Sequence, residues 1–94
     1  MENKIFLGTS RNNTFDKLEL AMNERIDLNF YGVKNWMKDK YEYLWCSSEP
    51  GTVWVDEVGR IIPVKNGTAV ITLILIDKKT GYPLYVVPAS IIVK

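Results

Sequence analysis

Apolar and polar residues alternate with a period of two along much of the chain. Leu18, Leu20 and Met22 alternate with Lys17, Glu19 and Ala21, and Ile26, Leu28 and Phe30 alternate with Arg25, Asp27 and Asn29. Successive side chains of a strand point to opposite faces, so this pattern predicts strands with one buried face. Asn23-Glu24 breaks the alternation. Asn tolerates left-handed backbone, which predicts a kink or tight turn there. Tyr41, Tyr43 and Trp45 share one face of a further strand, with Glu42, Leu44 and Cys46 on the other. Val53 and Val55 flank Trp54 on a short strand; if the valines point inward, Trp54 points out. Ile61 to Val64 form the next, with Pro63 marking an edge or a strand end.

The longest β-prone run is Thr68 to Asp77. Ala69, Ile71, Leu73 and Leu75 take one face and Val70, Ile74 and Ile76 the other. One of these faces is core. The other is either covered by a neighbouring segment or a candidate surface for contact with another domain or subunit. Lys4–Leu7 is a short apolar segment, and residues 82–93 are a final extended segment that Pro88 is expected to interrupt. Turn clusters separate the runs: Ser47-Ser48-Glu49-Pro50-Gly51, Glu57-Val58-Gly59, Asn66-Gly67 and Lys78-Lys79-Thr80-Gly81. Residues 9–16 read as a polar connection and residues 32–40 as a loop with at most one helical turn. Strands at this spacing predict a single all-β domain over residues 1–94, a sandwich or a barrel of about seven or eight strands.

Composition supports the strands and removes most chemistry. The 94 residues include 9 Val, 9 Ile and 11 aromatics against 3 Ala, which suits pleated, half-buried surfaces better than helices. There is no His, so no Ser–His or Cys–His pair and no His-ligated metal is available. The single Cys46 allows neither an internal disulfide nor a Cys-rich zinc site. Twelve basic and 11 acidic residues leave no basic stripe for nucleic acid. No apolar run is long enough to span a membrane, so no membrane insertion is expected. The first residues lack an apolar signal core.

The middle of the chain carries an ordered set of motifs. Trp45-Cys46-Ser47-Ser48-Glu49-Pro50 precedes Val53-Trp54-Val55-Asp56. Gly59-Arg60-Ile61-Ile62-Pro63-Val64 and Lys65-Asn66-Gly67-Thr68-Ala69-Val70-Ile71-Thr72 follow. Upstream, Leu20 to Leu28 reads as a strand kinked at Asn23-Glu24. This set resembles the group 2 bacterial immunoglobulin-like domains. That family typically reads Trp-x-Ser-Ser-Asn-Pro, then Val-Ala-x-Val-Asp, a Gly with an apolar pair, a turn Gly and a Thr-Ala-x-Ile-Thr strand. The likeness covers roughly residues 17–77. Glu49 replaces the usual Asn, Cys46 occupies a variable position, and Trp54 stands where a small polar residue is common.

Each motif also has a folding role. Trp45 can fill the gap between two sheets. Ser47 and Ser48 can bond local backbone, Pro50 ends the strand, Asp56 can cap a turn, and Gly59 supplies positive φ. Ala69 suits close sheet packing. Val53, Val55, Ile61, Gly67 and Ile71 complete the expected core motif.

The resemblance implies an immunoglobulin-like sandwich without catalysis or cofactor. It implies a module of a bacterial cell-surface or secreted protein that acts as a spacer or in adhesion. The implied partners are neighbouring domains of a longer chain, with a host-surface protein or polysaccharide as a further partner. A phage virion decoration or tail module is the alternative setting. The residues leave a second reading open, a carbohydrate-binding accessory domain using Trp36 and Trp54, because exposed aromatics on β-surfaces stack against sugars. The adjacent carboxylates of Asp56 and Glu57, and Asp77 near a turn, read as turn-capping or solvated charges rather than a general acid/base pair. Loop oxygens of Asp56, Glu57 and Asp77, or Asp16 with Glu19, are the places to look for a hard cation.

Overall fold

The computed structural model describes residues 5–9, 14–31 and 39–94. Nine strands lie among them: β1 (Phe6–Thr9), β2 (Thr14–Phe15), β3 (Lys17–Leu20), β4 (Ile26–Tyr31), β5 (Tyr41–Ser47), β6 (Val53–Val55), β7 (Arg60–Pro63), β8 (Gly67–Asp77) and β9 (Pro83–Val93). They form two sheets, ordered β2-β1-β4-β7-β6 and β3-β9-β8-β5. With β1, β4, β7 and β6 on one side and β5, β8 and β9 on the other, this is the strand arrangement of an immunoglobulin-like sandwich. β3 joins the second sheet by pairing parallel to β9.

The alternation read from the sequence sets the core. Leu28 and Phe30 of β4, Val53 of β6 and Ile61 of β7 are buried from one sheet. Trp45 of β5, Ala69, Ile71, Leu73 and Leu75 of β8, and Ala89, Ile91 and Val93 of β9 are buried from the other. Their outward neighbours Asp27, Asn29, Trp54 and Arg60 are exposed. β-Branched and large aliphatic side chains fill the space between the sheets and leave no helix to accommodate, among the described residues.

The motif residues take folding positions. Ser47 Oγ accepts the N–H of Glu49 at 3.2 Å, closing the turn that follows β5. Ser48 Oγ reaches further and accepts the N–H of Val70 on β8 at 2.9 Å. Asp56 Oδ1 accepts both the Val58 N–H at 3.0 Å and the Arg60 N–H at 2.8 Å. That tight loop needs Gly59 at φ 91°, a conformation that costs little only for glycine.

Three details depart from the sequence expectation. The sandwich has one strand more than predicted, because Thr14–Phe15, inside the expected polar connection, pairs antiparallel with Leu7 and Gly8 of β1. The strand at Lys17 stops at Leu20, and Met22 is exposed in the turn that follows. Pro88 does not interrupt the last segment, and β9 runs unbroken from Pro83 to Val93. The reason is the direction of the missing donor. The Ser90 N–H points away from β8, to the carbonyl of Asp16. Pro88, two residues earlier, is in the same phase, so the hydrogen bond it cannot make lies on the side away from β8.

The strand directions fix where the chain enters and leaves the sandwich. Phe6 of β1 lies opposite Tyr31, the last residue of β4. At the other end of β4, the turn from β3 sits beside the end of β9, where the Lys94 N–H donates to the Leu20 carbonyl. The path therefore enters at one end of a body 39 Å long and leaves at the other.

Candidate functional site

The face of β8 that turns away from the core carries Val70, Thr72, Ile74 and Ile76, all half-buried. The predicted split of this strand into two faces therefore holds. Strand register builds the neighbourhood. Ile74 lies opposite Leu44 of β5 on one side and Val86 of β9 on the other. Leu44 is 50% exposed and Val86 63%. Thr72 lies between Cys46 and Pro88, and Val70 lies opposite Ser90. Among the described residues of this face, charge appears at the margins: Glu42 beside Ile76, and Lys17 and Glu19 on β3. Glu19 pairs with the Lys94 ammonium at 3.1 Å. The centre of this outer face is thus an uncharged band across three strands. Leu44 and Val86 were not singled out in the sequence, although Leu44 does break the polar face of its strand.

Trp54 stands on the outer face of β6, 52% exposed. This is the orientation predicted from its flanking valines, of which Val53 is fully buried. Trp36, the other candidate for a sugar platform, lies outside the described residues. The outer band and Trp54 are on different sheets.

A third feature was not expected. Tyr43 is in phase with buried Tyr41 and Trp45, yet it is 50% exposed. It sits on the last strand of its sheet, where no further strand among the described residues covers it, and its ring leans on Phe30 of the opposite sheet at a centroid distance of 5.4 Å. One cleft of about 220 Å³ beside it is lined by Leu28, Asn29, Phe30, Trp45 and Val58. A second, of about 430 Å³, is lined by Asp39, Tyr41, Glu42, Glu57 and Lys78. Both open to solvent.

Charged side chains are used locally. Arg60 Nε donates to Asp27 Oδ1 at 2.8 Å across β4 and β7, with both side chains more than half exposed. The Asp27 carboxylate, through that hydrogen bond and its charge, raises the Arg60 pKa above its usual value, so the guanidinium stays charged. A solvent-exposed pair of this kind adds little to stability. Asp77 Oδ1 accepts the Lys79 N–H at 2.9 Å in the β8–β9 turn. Among the described residues no three acidic or thiol groups converge as a cation site would require. Cys46 is a half-buried free thiol between Thr72 and the turn after β5.

No protein-family model matches the chain, and no curated protein matches it at a significant level. Among solved structures it is similar to one described as "Crystal Structure of a Bacterial Ig-like Domain Containing GH10 Xylanase from Termite Gut", with a TM-score of 0.45 and 16% identity. The match covers 83% of this chain and 19% of that one, so the chain spans about a fifth of the length of that protein. The immunoglobulin-like assignment rests on the strand order itself.

Proposed function

We propose that this domain is a non-catalytic immunoglobulin-like module of the group 2 bacterial type, acting as a spacer or adhesive unit in a cell-surface or secreted protein. The observation that carries this reading is the through-going path: β1 enters at one end of the sandwich and β9 leaves at the other. Neighbouring domains joined to the two ends would be held apart by the length of the body. The arrangement also suits a tensile load. β3 runs parallel to β9, with Lys17 to Leu20 opposite Ser90 to Val93, so a pull along the long axis shears all of these hydrogen bonds together. The core motif residues Trp45, Ser48, Val53, Asp56, Ile61, Ala69 and Ile71 sit in turns and core, which supports a folding role for the set.

Single-molecule pulling tests the reading, since forced unfolding reports the unfolding barrier directly. Handles at the two chain ends are expected to give one cooperative event at high force. Handles at Ser48 and Lys94, which load the second sheet differently, are expected to give a lower force. Equal, low forces in both geometries would remove the spacer reading.

The half-exposed Trp54 favours one second reading, a carbohydrate-binding accessory module. On that reading Trp54→Ala abolishes retention on polysaccharide while the melting temperature stays within about 2 °C of the parent, as expected for a change outside the core. Absence of glycan retention in the parent protein would exclude it.

A further inference from the structure

The four sheet edges are not alike. β2 and β6 are two and three residues long, too short to template another strand. β3 is only four residues long, carries Lys17 and Glu19, and covers β9 from Ser90 to Val93; the rest of that side of β9 carries Pro88, whose missing N–H faces outward. β5 is different. It is seven residues long, contains no Lys, Arg or Pro, and has Glu42 as its one charge. Glu42 is thus its one edge-blunting residue, and among the described residues no strand covers this edge.

The phase of the β5–β8 ladder shows which groups the edge presents. At one end the Ser48 N–H donates to the Val70 carbonyl, and at the other the Lys78 N–H donates to the Lys40 carbonyl. Even-numbered residues of β5 therefore face β8, and the N–H and C=O groups of Tyr41, Tyr43, Trp45 and Ser47 face outward. Among the described residues no backbone group pairs with them.

We infer that β5 is a self-association edge, and that its partner is β5 of a second copy of this chain, antiparallel about a two-fold axis at Leu44. Strand length and chemistry choose this register. Leu44 is the central residue of β5, so only a two-fold there pairs every outward group: Tyr41 with Ser47, and Tyr43 with Trp45. On the outer face Leu44 meets Leu44, and Glu42 meets Cys46 rather than another carboxylate. A two-fold two residues earlier would set Glu42 against Glu42, and like charges directly opposed disfavour pairing. The uncharged row Leu44, Ile74 and Val86 then continues into its own copy, giving an apolar band across an eight-stranded sheet. This inference is independent of the spacer reading.

Sedimentation equilibrium across the micromolar to millimolar range tests it, with monomer and dimer as the species expected. Leu44→Lys places two ammonium groups face to face at the axis and is expected to weaken the dimer by at least roughly tenfold. Circular dichroism at low concentration checks that the monomer stays folded, since Leu44 is half exposed. Register is tested by cross-linking. Directly opposed residues at a non-hydrogen-bonded position have Cα atoms about 4.5 Å apart, inside the span a disulfide accepts. Leu44→Cys in a Cys46→Ser background is therefore expected to oxidise to a covalent dimer much faster than Val86→Cys in the same background. A parent chain that stays monomeric at millimolar concentration overturns the inference. So does a Leu44→Cys variant that cross-links no faster than Val86→Cys. Dimerisation that survives Leu44→Lys without Leu44→Cys cross-linking overturns it too, in favour of another surface.

Discussion

Trp45→Ala is expected to destabilise the fold by about 3–5 kcal/mol, the range for deleting a large buried aromatic. Trp45 is 8% exposed and projects from β5 into the space between the sheets. The edge of its ring meets the loop at Gly59, and the carbonyl of Leu28 lies against the same loop. No neighbour can move in to take over that contact, because the β8 side chains Leu73 and Leu75 are already fully buried. Whole domains are stable by roughly 5–15 kcal/mol, and a chain this short sits toward the lower part of that range. Most of the cooperative transition should therefore vanish. Urea denaturation followed by far-ultraviolet circular dichroism measures it. A midpoint shift worth less than about 1 kcal/mol, the size of an average point mutation, would mean that Trp45 does not hold the sheets apart as described.

Gly59→Ala is expected to cost nearly as much, about 2–4 kcal/mol, through two separate effects: a side chain in a positive-φ conformation and overpacking. Gly59 has φ 91°. A Cβ there would stand 2.9 Å from Trp45 Cε2, closer than Cβ atoms come to unbonded neighbours, and 3.0 Å from the Leu28 carbonyl oxygen, a tight contact. The backbone cannot readily yield, because the Gly59 carbonyl accepts the Leu28 N–H at 2.8 Å and its own N–H donates to Asp56. The two variants touch one another, so their effects should not add. In a Trp45→Ala background the ring is gone, and Gly59→Ala should lose only the part due to φ and to Leu28. Equality of the single and double-background costs, within the error of the denaturation curves, would show that the ring contact plays no part.

Alternation made the faces of β4 and β8 legible. Period-two patterning at Ile26–Phe30 and at Ala69–Leu75 assigns every side chain to a face, because the pleat leaves only two directions. The outward turn of Trp54 followed from the same rule; on β8, apolar on both faces, the rule sorted Val70, Ile74 and Ile76 from Ala69, Ile71, Leu73 and Leu75, and the tertiary structure decided which set is core. The turns were legible for a different reason: Asp56 and Gly59 are residue types that tight loops require, and they do that work here.

What escaped the sequence depends on partners distant along the chain. β2 is two residues long and has no periodicity to detect; it exists because Leu7 and Gly8 present a free edge to it. Pro88 looked like a break because proline lacks a donor. Whether that donor is needed depends on ladder phase, which the Ser90–Asp16 contact reveals. Tyr43 shares the phase of the core residues and is nevertheless half exposed, since burial at a sheet edge depends on whether another strand follows.

The sequence by itself determined that this is an all-β domain with two-faced strands and no histidine chemistry, since residue types and their period are local properties. Tertiary structure alone decided that Leu44, Ile74 and Val86 form one row, that β5 ends its sheet, and that the chain passes from one end of the body to the other. Register and strand order are set by hydrogen bonds between segments far apart in the chain, and a pattern of period two is the same whichever strands become neighbours.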